Sequence, residues 1–486
     1  MDQAVNLADL NRNSDWSQIR VTVLGLGIAG YAAADNLTFL GAQVTAIDER
    51  DTLDLQEKKN ILETLGATVI LGEPLALPAV SNIVVVSPGL PPTHQVIQSA
   101  IANGIPVWGE LEVAWRLRDL ENPAPWLCVT GTNGKTTTTL MLEAMLQAQG
   151  LRAVAAGNIG RSLIEVVMDP DPYDVIAVEV GAPQLPFVYS MSPLASVCLN
   201  IAEDHVDHFG SMEAYVSAKA KIFERTQVAA IYNCNDEKTL KMVQEAEVVE
   251  GCRAVGFTLK VPKPGEFGIV EEFLIDRSFG ADTRAEATEL AELDDVQPAA
   301  IHNVENALAA AALARAYGIS PEAVKLGLKQ FQPAAHRVAY VATVNGVKYI
   351  DDSKATNAHA AQTAIKSFEN VIWIAGGDAK GQDFTELAKS VANKIKAVVL
   401  LGRDRELIKS ALDEFAPDVK QIEISNLNLD AIDEVVNEAH KIAVPGDVVL
   451  LAPACASWDM FQNYSQRGDL FARAVLKLTG DNNDNN

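Results

Sequence analysis

A short loop rich in glycine and threonine carries the clearest chemical signal in the sequence. It reads Gly131-Thr132-Asn133-Gly134-Lys135-Thr136 and lies between a predicted strand over 126–130 and a predicted helix that begins near Thr136. Backbone amides at such a turn surround a phosphate, a lysine reaches the terminal phosphates, and a threonine hydroxyl is available to Mg²⁺. Val129 stands where a strict Walker A motif has glycine. The alternative, an ordinary turn with a surface lysine, is disfavoured by the strand, the helix and the Lys-Thr pair together.

A second group of ionisable residues follows a predicted strand over 195–200. The segment from Asn200 to His208 contains five such residues, and Lys219 comes fourteen residues after His205. Glu179, at the end of a predicted strand over 175–180, would mean little by itself. Ligands of α/β sheets bind at the carboxyl ends of strands, and carboxylate oxygens suit Mg²⁺. Singly these residues are typical of solvated turns and helix faces; their joint spacing after a phosphate loop favours a metal site.

A third motif, Gly25-Leu26-Gly27-Ile28-Ala29-Gly30, follows the predicted strand Ile19–Leu24, and Asp48 comes eighteen residues after Gly30. This pattern fits a dinucleotide-binding fingerprint, so an NAD(P) dehydrogenase is an alternative from another class of enzyme. A lone fingerprint is weak evidence. No second dehydrogenase pattern accompanies it, whereas the phosphate loop does indicate an ATP site.

The elements that must position these residues form three blocks in which strands and helices alternate, which predicts an α/β fold. Prolines at 123, 125 and 333 interrupt the pattern. We therefore predict a Rossmann-like domain over 1–118, a central domain with a P-loop ATPase-like parallel sheet over 119–332, and a Rossmann-like C-terminal domain over 333–486. A hairpin around Asn345-Gly346 should open the third block.

Composition limits the class of protein. The 486 residues are 48% hydrophobic and 21% charged, typical of globular domains, and the net charge of −25 argues against a nucleic-acid binder. The first residues lack the pattern of a signal peptide, and no apolar run approaches a membrane span. Five scattered cysteines without a CxxC pair indicate free thiols in a reducing compartment. We expect a cytoplasmic protein without membrane or nucleic-acid partners, and a monomer.

The phosphate loop and the metal cluster together resemble the Mur ligase and folylpolyglutamate synthase superfamily, and the similarity runs from about Val21 to Leu470. These enzymes use ATP to phosphorylate a carboxylate, and an amine then attacks the acyl phosphate. The resemblance implies ATP, two Mg²⁺ ions and a CO₂-derived carbamate on Lys219. An ammonium beside two metal ions is disfavoured, whereas an N-carbamate is an anionic oxygen ligand. The implied metal ligands are Thr136, Glu179, His205 and Lys219 (as N6-carboxylysine).

The same resemblance assigns roles around ATP. The implied catalytic residues are Lys135, Asn158, His205 and Lys219. The implied ATP-binding residues are Gly131, Thr132, Asn133, Gly134, Lys135, Thr136, Thr137, Asn303, Asn306, Arg337 and Asp352. For Asn303, an N-cap of the alanine-rich helix predicted over 303–317 is a further interpretation.

In this family the first block binds the UDP part of the substrate rather than a dinucleotide. The implied contacts are Gly27, Ile28, Ala29, Gly30, Asp48, Arg50, Ser87, Gly89 and Asn158. Asp48 and Arg50 would contact uracil, and the amides near Gly27 to Gly30 the diphosphate. Ala29 stands where relatives often carry a hydroxyl residue, so one phosphate contact is expected to be missing.

The third block resembles the D-glutamate-adding branch of the family. The similarity is carried by Asp351 to Asn357, Gly376 to Gly381, Pro453 to Asp459 and Gln466 to Gly468. The implied D-glutamate contacts are Thr356, Lys380, Ser457 and Tyr464. Lys380 would pair with the side-chain carboxylate, since a fixed cation distinguishes a dicarboxylic amino acid. The predicted reaction is the ATP-dependent addition of D-glutamate to UDP-N-acetylmuramoyl-L-alanine in peptidoglycan precursor synthesis.

One segment departs from the family pattern. Relatives usually read Ser-Ser-Phe-Gln-Leu after the strand glutamate, and this chain reads Gly181-Ala182-Pro183-Gln184-Leu185. The substrate contacts of those serines cannot be carried over. Two alternatives remain: a folate polyglutamylating ligase, against which the GxGxxG block argues, and a nucleotide-binding protein without catalysis.

Overall fold

A computed structural model of the chain describes residues 7–204, 206–280, 286–297, 300–333 and 336–480. It contains three sheets of five, nine and six strands. The chain divides into two compact units: the first carries the two N-terminal sheets up to Phe331, and the second carries the third sheet from Gln332 onward. The predicted α/β class with three sheets is confirmed. The boundary between residues 118 and 119 stays a prediction.

The first sheet is wholly parallel, with the strand order β3-β2-β1-β4-β5. Its strands are β1 (Arg20–Leu24), β2 (Gln43–Asp48), β3 (Thr68–Leu71), β4 (Ile83–Val86) and β5 (Val107–Gly109). Its helices are α1 (Ile28–Phe39), α2 (Leu53–Leu65), α3 (Gln95–Ala102) and α4 (Glu110–Leu117). The strand order reverses between β1 and β4, and such a switch point opens the crevice in which α/β sheets bind ligands. The loop at Gly25 lies at that point.

The second sheet has the order β14-β13-β12-β11-β10-β9-β6-β8-β7. Its strands are β6 (Trp126–Thr130), β7 (Ala153–Gly157), β8 (Val175–Glu179), β9 (Ala195–Cys198), β10 (Ala229–Asn233), β11 (Arg253–Phe257), β12 (Glu266–Val270), β13 (Phe273–Asp276) and β14 (Thr288–Glu292). Its helices are α5 (Lys135–Ala148), α6 (Leu163–Val167), α7 (Val206–Phe209), α8 (Met212–Ala220), α9 (Glu237–Glu245), α10 (Ile301–Tyr317) and α11 (Pro321–Gln330). The loops after β6, β7, β8 and β9 therefore share one edge of the sheet.

The prediction of a parallel central sheet is wrong at one end. Strand β13 pairs antiparallel with both β12 and β14. Only Glu271 and Glu272 separate β12 from β13, and Glu271 has a φ of +53°. A connection of two residues can form a hairpin but cannot make the long crossover between parallel strands.

The third sheet has the order β15-β16-β20-β17-β18-β19. Its strands are β15 (Ala339–Val344), β16 (Val347–Asp351), β17 (Val371–Gly376), β18 (Ile395–Leu401), β19 (Lys420–Glu423) and β20 (Val448–Leu451). Its helices are α12 (Ala358–Lys366), α13 (Thr385–Val391), α14 (Arg405–Phe415), α15 (Ala431–Ile442) and α16 (Tyr464–Gly480). The predicted hairpin is confirmed: Asn345 and Gly346 have φ angles of +52° and +77°, as a type I′ turn requires.

Close helix packing fixes α5, the helix that follows the phosphate loop. All five residues of β6 are buried, and so is every residue of α10 from Ala307 to Ala314. A Cβ added at Gly327 of α11 would lie 2.4 Å from the backbone Cα of Met145 in α5. The glycine lets α11 approach the C-terminal half of α5 closely, which fixes that helix against the rest of the unit.

Two buried carboxylates join the first sheet to the second within the first unit. Glu110 of α4 accepts hydrogen bonds from Ser162 Oγ at 2.7 Å and from the Leu163 amide at 2.8 Å. Glu112 accepts from the backbone amides of Tyr189 and Ser190 at 2.8 and 2.9 Å. Burial raises the pKa of Glu110, although these hydrogen bonds oppose the rise. Helix α4 is thereby fastened to segments that flank the candidate site.

Among the described residues, none of the helices has both the length and the apolar character needed to cross a bilayer.

Candidate active site

The phosphate loop connects β6 to α5 and is packed on two sides. Its glycines have positive φ angles, +154° at Gly131 and +85° at Gly134. A Cβ at Gly131 would lie 2.9 Å from Leu199 Cβ, and one at Gly134 would lie 2.3 Å from Asn306 Oδ1. Glycine is therefore required at both positions by conformation and by space. The tight turn brings the amino end of α5, the end at which a helix can bind an anion, next to the end of β6.

The lysine of the loop is held over the turn. Lys135 Nζ donates to the carbonyl oxygens of Gly131 and Thr132, both at 2.8 Å. These two bonds hold the ammonium against the loop. In that position it can interact with a phosphate bound there. The next residue but one, Thr137, is partly exposed on the first turn of α5.

Two residues that the sequence analysis did not assign hold the loop from the side. Asn200 Oδ1 accepts from the Asn133 amide at 2.9 Å, and Asn200 Nδ2 donates to the Asn133 carbonyl at 3.2 Å. The hydroxyls of Tyr215 and Thr132 lie 2.9 Å apart in a hydrogen bond. Asn200 opens the segment already singled out for metal binding, so a signal for it was present. Nothing in the sequence distinguished Tyr215 from a core tyrosine.

Three of the predicted site residues, which lie after β6, after β7 and at the end of β8, meet at the edge of the second sheet. Thr136 Oγ1 donates to Glu179 Oε2 at 2.7 Å, and Asn158 Nδ2 donates to Glu179 Oε1 at 3.0 Å. Glu179 is only 2% exposed. Mg²⁺ is coordinated by carboxylate and hydroxyl oxygens, usually together with water and substrate phosphates. The oxygen atoms of Thr136 and Glu179 are therefore suitable ligands for a magnesium ion.

The predicted carbamate position is buried beside the phosphate loop. Lys219 is 1% exposed, and its Nζ donates to the Gly131 carbonyl at 2.8 Å and to Thr130 Oγ1 at 3.3 Å. Burial, reinforced by the nearby Lys135, lowers the pKa of Lys219 to about 7. A neutral amine, the form that reacts with CO₂, is therefore accessible near neutral pH.

The fourth predicted metal ligand, His205, lies outside the described residues. Within the described part of the chain, no group of three or more histidine, cysteine, aspartate or glutamate side chains is arranged to hold a metal ion. The predicted metal ligands do not require such a group, because they also include a threonine hydroxyl and a modified lysine.

The two asparagines predicted to meet adenine lie beside the phosphate loop. Asn306 Oδ1 accepts from Thr138 Oγ1 at 3.3 Å, and Asn306 Nδ2 donates to Asn303 Oδ1 at 3.3 Å. Both asparagines are buried. Helix α10 begins at Ile301, so Asn303 lies inside its first turn and the N-cap interpretation is wrong.

The loop after β1 forms a second candidate site at the switch point of the first sheet. A Cβ at Gly30 would lie 1.8 Å from the Gly25 carbonyl oxygen, so only glycine permits α1 to start there. Ser87 Oγ donates to the same carbonyl at 2.9 Å. Gly27 caps α1 without a side-chain hydrogen bond. Of the other predicted contacts, Ile28 is 74% exposed, and Ala29 lies beside it in the first turn. A Cβ added at Gly89 would have no atom within 4 Å.

Asp48, at the end of β2, closes this loop. Asp48 Oδ2 accepts from the Leu26 amide at 2.8 Å, and the Asp48 carboxylate accepts from Arg50 Nε at 3.0 Å and Nη2 at 2.9 Å. Burial would raise the pKa of Asp48, but the hydrogen bonds from Arg50 and Leu26 outweigh it and lower that pKa. Arg50 remains largely exposed, with 65% of its side chain accessible. The pair therefore presents a fixed cation beside the open N-terminus of α1.

In the second unit, the loops after β16, β17 and β20 lie next to one another. Asp378 and Ala456 exchange two backbone hydrogen bonds of 2.9 Å, which ties the loop of Lys380 to that of Ser457. Lys380 has a φ of +50°, and its Nζ lies 5.3 Å from the centre of the Trp458 ring. The four predicted D-glutamate residues come from these loops and from the start of α16: Thr356, Lys380, Ser457 and Tyr464.

A buried arginine that received no role in the sequence analysis joins the same loops. Arg467 is 1% exposed and donates to the Ser353 carbonyl at 2.8 Å and to the Cys455 carbonyl at 3.2 Å. Lys354, also unassigned, places its Nζ 3.6 Å from the centre of the Tyr464 ring. Both residues were part of the motifs quoted for the family resemblance, which was the available signal.

Two further predicted ATP contacts belong to the second unit. Asp352 is 7% exposed, and its Oδ1 accepts from the Val338 amide at 3.2 Å. Burial raises the pKa of Asp352 to about 7, although Arg337 acts in the opposite direction. Arg337 and Asp352 are therefore close enough to interact electrostatically, and both lie at the start of the third sheet.

The segment that departs from the family pattern forms an ordered turn. It is a 3₁₀ helix over Ala182–Phe187, and buried Gln184 accepts from the Gly181 amide through Oε1 at 2.8 Å. A Cβ at Gly181 would lie 3.4 Å from Asn158 Oδ1. The turn thus stays beside Asn158 even though both serines are missing.

Comparison with known proteins places this geometry in a family. Three family models match: "Mur ligase MurD-like, N-terminal domain" over residues 19–109, "Mur ligase middle domain" over 129–314 and "Mur ligase, glutamate ligase domain" over 336–455. Proteins named UDP-N-acetylmuramoylalanine--D-glutamate ligase from Streptomyces coelicolor and Thermobifida fusca are 50% and 49% identical, covering 96% and 95% of this chain and 99% of each relative. The fold is similar to that of UDP-N-acetylmuramate-alanine ligase from Thermotoga maritima, with a TM-score of 0.57 at 17% identity over 95% of this chain and 100% of that one. The chain belongs to the Mur ligase family.

Proposed function

We propose that the protein is an ATP-dependent ligase that adds D-glutamate to UDP-N-acetylmuramoyl-L-alanine in peptidoglycan precursor synthesis. The observation that carries the proposal is the cluster of Lys135, Thr136, Glu179 and Lys219 around the phosphate loop, within 2.7–3.3 Å hydrogen bonds. Relatives about half identical over nearly the whole chain carry the name of this ligase. We also propose a cytoplasmic monomer, because a single chain supplies all the predicted contacts.

In the first step, the alanyl carboxylate of the substrate attacks the γ-phosphorus of ATP and ADP leaves, which gives an acyl phosphate. The chain contributes positive charge and position: the ammonium of Lys135, held over the loop, and the amino end of α5 would meet the phosphates. Donors that are fixed before the reaction stabilise charge as it develops, without reorganisation. Asn303 and Asn306, which lie beside the loop, would contact the adenine.

Magnesium ions fit the same edge of the sheet. We propose that Thr136 and Glu179 hold one Mg²⁺, and that His205 and Lys219, as N6-carboxylysine, hold a second. The 2.7 Å contact between Thr136 and Glu179 and the burial of Lys219 among oxygen atoms support these assignments. When bound, the ions would neutralise the phosphate charge.

In the second step, the amine of D-glutamate attacks the acyl phosphate, an amide bond forms and phosphate leaves. We propose that Lys380 pairs with the side-chain carboxylate and that Thr356, Ser457 and Tyr464 orient the amino acid. The support is that these residues come from adjacent loops, with Lys380 held near Trp458. A charge-assisted pair suits a carboxylate better than a neutral hydrogen bond does.

The UDP part of the substrate is proposed to lie at the switch point of the first sheet. Its diphosphate would meet the open N-terminus of α1 at Gly27 to Gly30, with Ser87 and Gly89 alongside, and uracil would meet Asp48 and Arg50. The exposed guanidinium of Arg50 and the uncapped start of α1 support this placement. Asn158, hydrogen-bonded to Glu179, would hold the acyl end near the ATP.

The acyl-phosphate route is tested by isotope transfer. UDP-N-acetylmuramoyl-L-alanine labelled with ¹⁸O in its carboxylate is incubated with ATP and D-glutamate, and the released phosphate is analysed by mass spectrometry. We expect one ¹⁸O in each phosphate, because the carboxylate oxygen that attacks phosphorus departs with it. Unlabelled phosphate would refute the acyl phosphate, and absence of turnover with ATP still bound would favour a nucleotide-binding protein without catalysis.

A further inference from the structure

A further loop of the second unit packs against the loop that carries Lys380. It spans residues 402–404, between β18 and α14, and none of the predicted substrate contacts belongs to it. A Cβ added at Gly402 would lie 2.5 Å from the Gly377 amide nitrogen, and one added at Gly377 would lie 2.2 Å from the Ala456 carbonyl oxygen. Both glycines have positive φ angles, +84° and +138°. The backbones of the three loops are therefore in direct contact, which a side chain at either position would prevent.

Asp404 bonds to the loop of Lys380 at two places. Its amide donates to the Gly377 carbonyl at 3.0 Å, and its Oδ2 accepts from the Ala379 amide at 2.9 Å. Ala379 is 1% exposed, so loss of this acceptor would leave a buried amide unpaired. The next amide, that of Lys380, donates to Asp378 Oδ1 at 3.0 Å. Two carboxylates thus hold the two successive amides at 379 and 380.

Arg403 ties these two carboxylates together. Its Nη2 lies 3.1 Å from Asp378 Oδ1, and its Nε donates to Asp404 Oδ1 at 3.3 Å. Its own amide donates to Asp459 Oδ2 at 2.8 Å. The hydrogen bonds from Arg403 and from the Ala379 amide lower the pKa of Asp404. Asp404 is therefore ionised at neutral pH, and a charged acceptor holds an amide more strongly than a neutral one does.

The backbone of Lys380 depends on such support. Its φ of +50° lies in the left-handed region, which a residue other than glycine occupies only where the surrounding structure imposes it. The Lys380 side chain is directed toward Trp458, with Nζ 5.3 Å from the centre of the ring. Because the backbone at Lys380 sets the direction of its Cβ, a change at the Ala379 amide would redirect the ammonium.

We propose that Asp404 is a positioning residue for the amino-acid substrate, which holds the Ala379 amide and thereby directs Lys380 toward the side-chain carboxylate of D-glutamate. The inference rests on the proposed function, in which Lys380 pairs with that carboxylate. Asp404 acts through the backbone of the loop, and Lys380 makes the contact. Loss of Asp404 should therefore weaken the binding of D-glutamate and leave that of ATP unchanged.

The test is steady-state phosphate release by the full chain, with D-glutamate varied at saturating ATP and UDP-N-acetylmuramoyl-L-alanine. Asp404→Ala should raise the KM for D-glutamate roughly tenfold, the size of coupling seen within one hydrogen-bond network. The value of kcat and the KM for ATP should stay within about twofold, because pairing with a remote carboxylate is the same in the ground and transition states.

Two matched variants separate this role from a general loss of structure. Asp404→Asn keeps an oxygen acceptor for the Ala379 amide, so its KM for D-glutamate should stay within about twofold of that of the unmodified chain. Asp413→Ala removes an exposed aspartate of α14 that bonds to Lys409 and Gln421, and it should change neither constant.

A double variant tests whether Asp404 acts through Lys380. In the Lys380→Ala background, Asp404→Ala should raise the KM for D-glutamate by no more than about a further twofold, since no ammonium remains to be positioned. A full, additive rise in this background would overturn the proposal. So would an unchanged KM for D-glutamate in Asp404→Ala, or an equal rise in Asp404→Asn.

Amide hydrogen exchange checks the same variants without turnover. Peptides that cover residues 378–380 should exchange faster in Asp404→Ala than in the unmodified chain, while peptides from the first unit should be unchanged; equal exchange at 378–380 would refute the positioning. If Lys380→Ala raises the KM for D-glutamate and Asp404→Ala does not, the glutamate site stands and this inference alone fails. If Lys380→Ala leaves the KM unchanged, the proposed glutamate site is wrong and the inference falls with it.

Discussion

Replacing Gly157 by alanine should disable the candidate active site without touching any of its side chains. Gly157 ends β7 with a φ of +102°, and an added Cβ would lie 2.5 Å from the Glu179 carbonyl oxygen. Real Cβ atoms do not approach closer than 3.0 Å, so the two strands must separate by at least 0.5 Å. The same carbonyl accepts from the Asn158 amide at 2.8 Å. The shift therefore moves both Glu179 and Asn158.

Gly150→Ala is the matched control. Gly150 also has a positive φ, +87°, but no atom lies within 4 Å of its added Cβ. Both substitutions carry the cost of a left-handed residue, about 1–2 kcal/mol, whereas only Gly157→Ala also collides. Overpacking costs about 1–3 kcal/mol, which is the expected difference in free energy of unfolding between the two variants.

Urea unfolding measures that difference, and phosphate release measures activity. A misplacement of catalytic groups on the order of 1 Å costs about a hundredfold in rate, so kcat of Gly157→Ala should fall by tens of fold or more, with Gly150→Ala within about twofold of the unmodified chain on the same reasoning. Equal stability and equal kcat in the two variants would refute the claim that the end of β8 is positioned by its contact with β7.

Three substitutions test the individual lysines. Lys219→Ala should lower kcat roughly a thousandfold through loss of the carbamate, and added acetate should partly restore it. Lys221→Ala, the control, should remain active. Full activity of Lys219→Ala in a phosphate-release assay would exclude the carbamate. Lys135→Ala should lower kcat at least about a hundredfold by removing charge at the ATP phosphates, and normal turnover would locate the nucleotide elsewhere. Lys380→Ala should raise the KM for D-glutamate, since a charge-assisted hydrogen bond contributes about 1.5–3 kcal/mol, roughly 10- to 150-fold; an unchanged KM would remove Lys380 from the glutamate site.

Much of the fold could be predicted from local sequence signals. The phosphate loop, the hairpin at Asn345-Gly346 and the alternation of strands and helices each follow from glycine placement and apolar runs. The antiparallel end of the central sheet could not be predicted, because the two glutamates that connect β12 to β13 are not typical turn residues. Glu271 adopts a positive φ although it is neither glycine nor asparagine. Tertiary pairing there overrides a weak local preference.

The candidate site was predictable where the chemistry needs a particular residue type. Thr136 of α5, Glu179 of β8 and Asn158 after β7 are well separated in the sequence, and the structure brings them within hydrogen-bond distance. Tyr215 and Arg467 escaped assignment, because a buried tyrosine or arginine becomes meaningful only when its partners are known. Their hydrogen bonds join segments 83 and 114 residues apart in the sequence, a separation that no local pattern records.

The central claim, that the chain couples ATP to the addition of D-glutamate, is tested most directly by phosphate release. The protein is supplied with ATP, Mg²⁺ and UDP-N-acetylmuramoyl-L-alanine, and D-glutamate, L-glutamate, L-alanine and no amino acid are compared. We predict release that requires D-glutamate, with a product heavier by one glutamyl residue. Release with another amino acid in its place, or no release under any of the four conditions, would contradict the assignment.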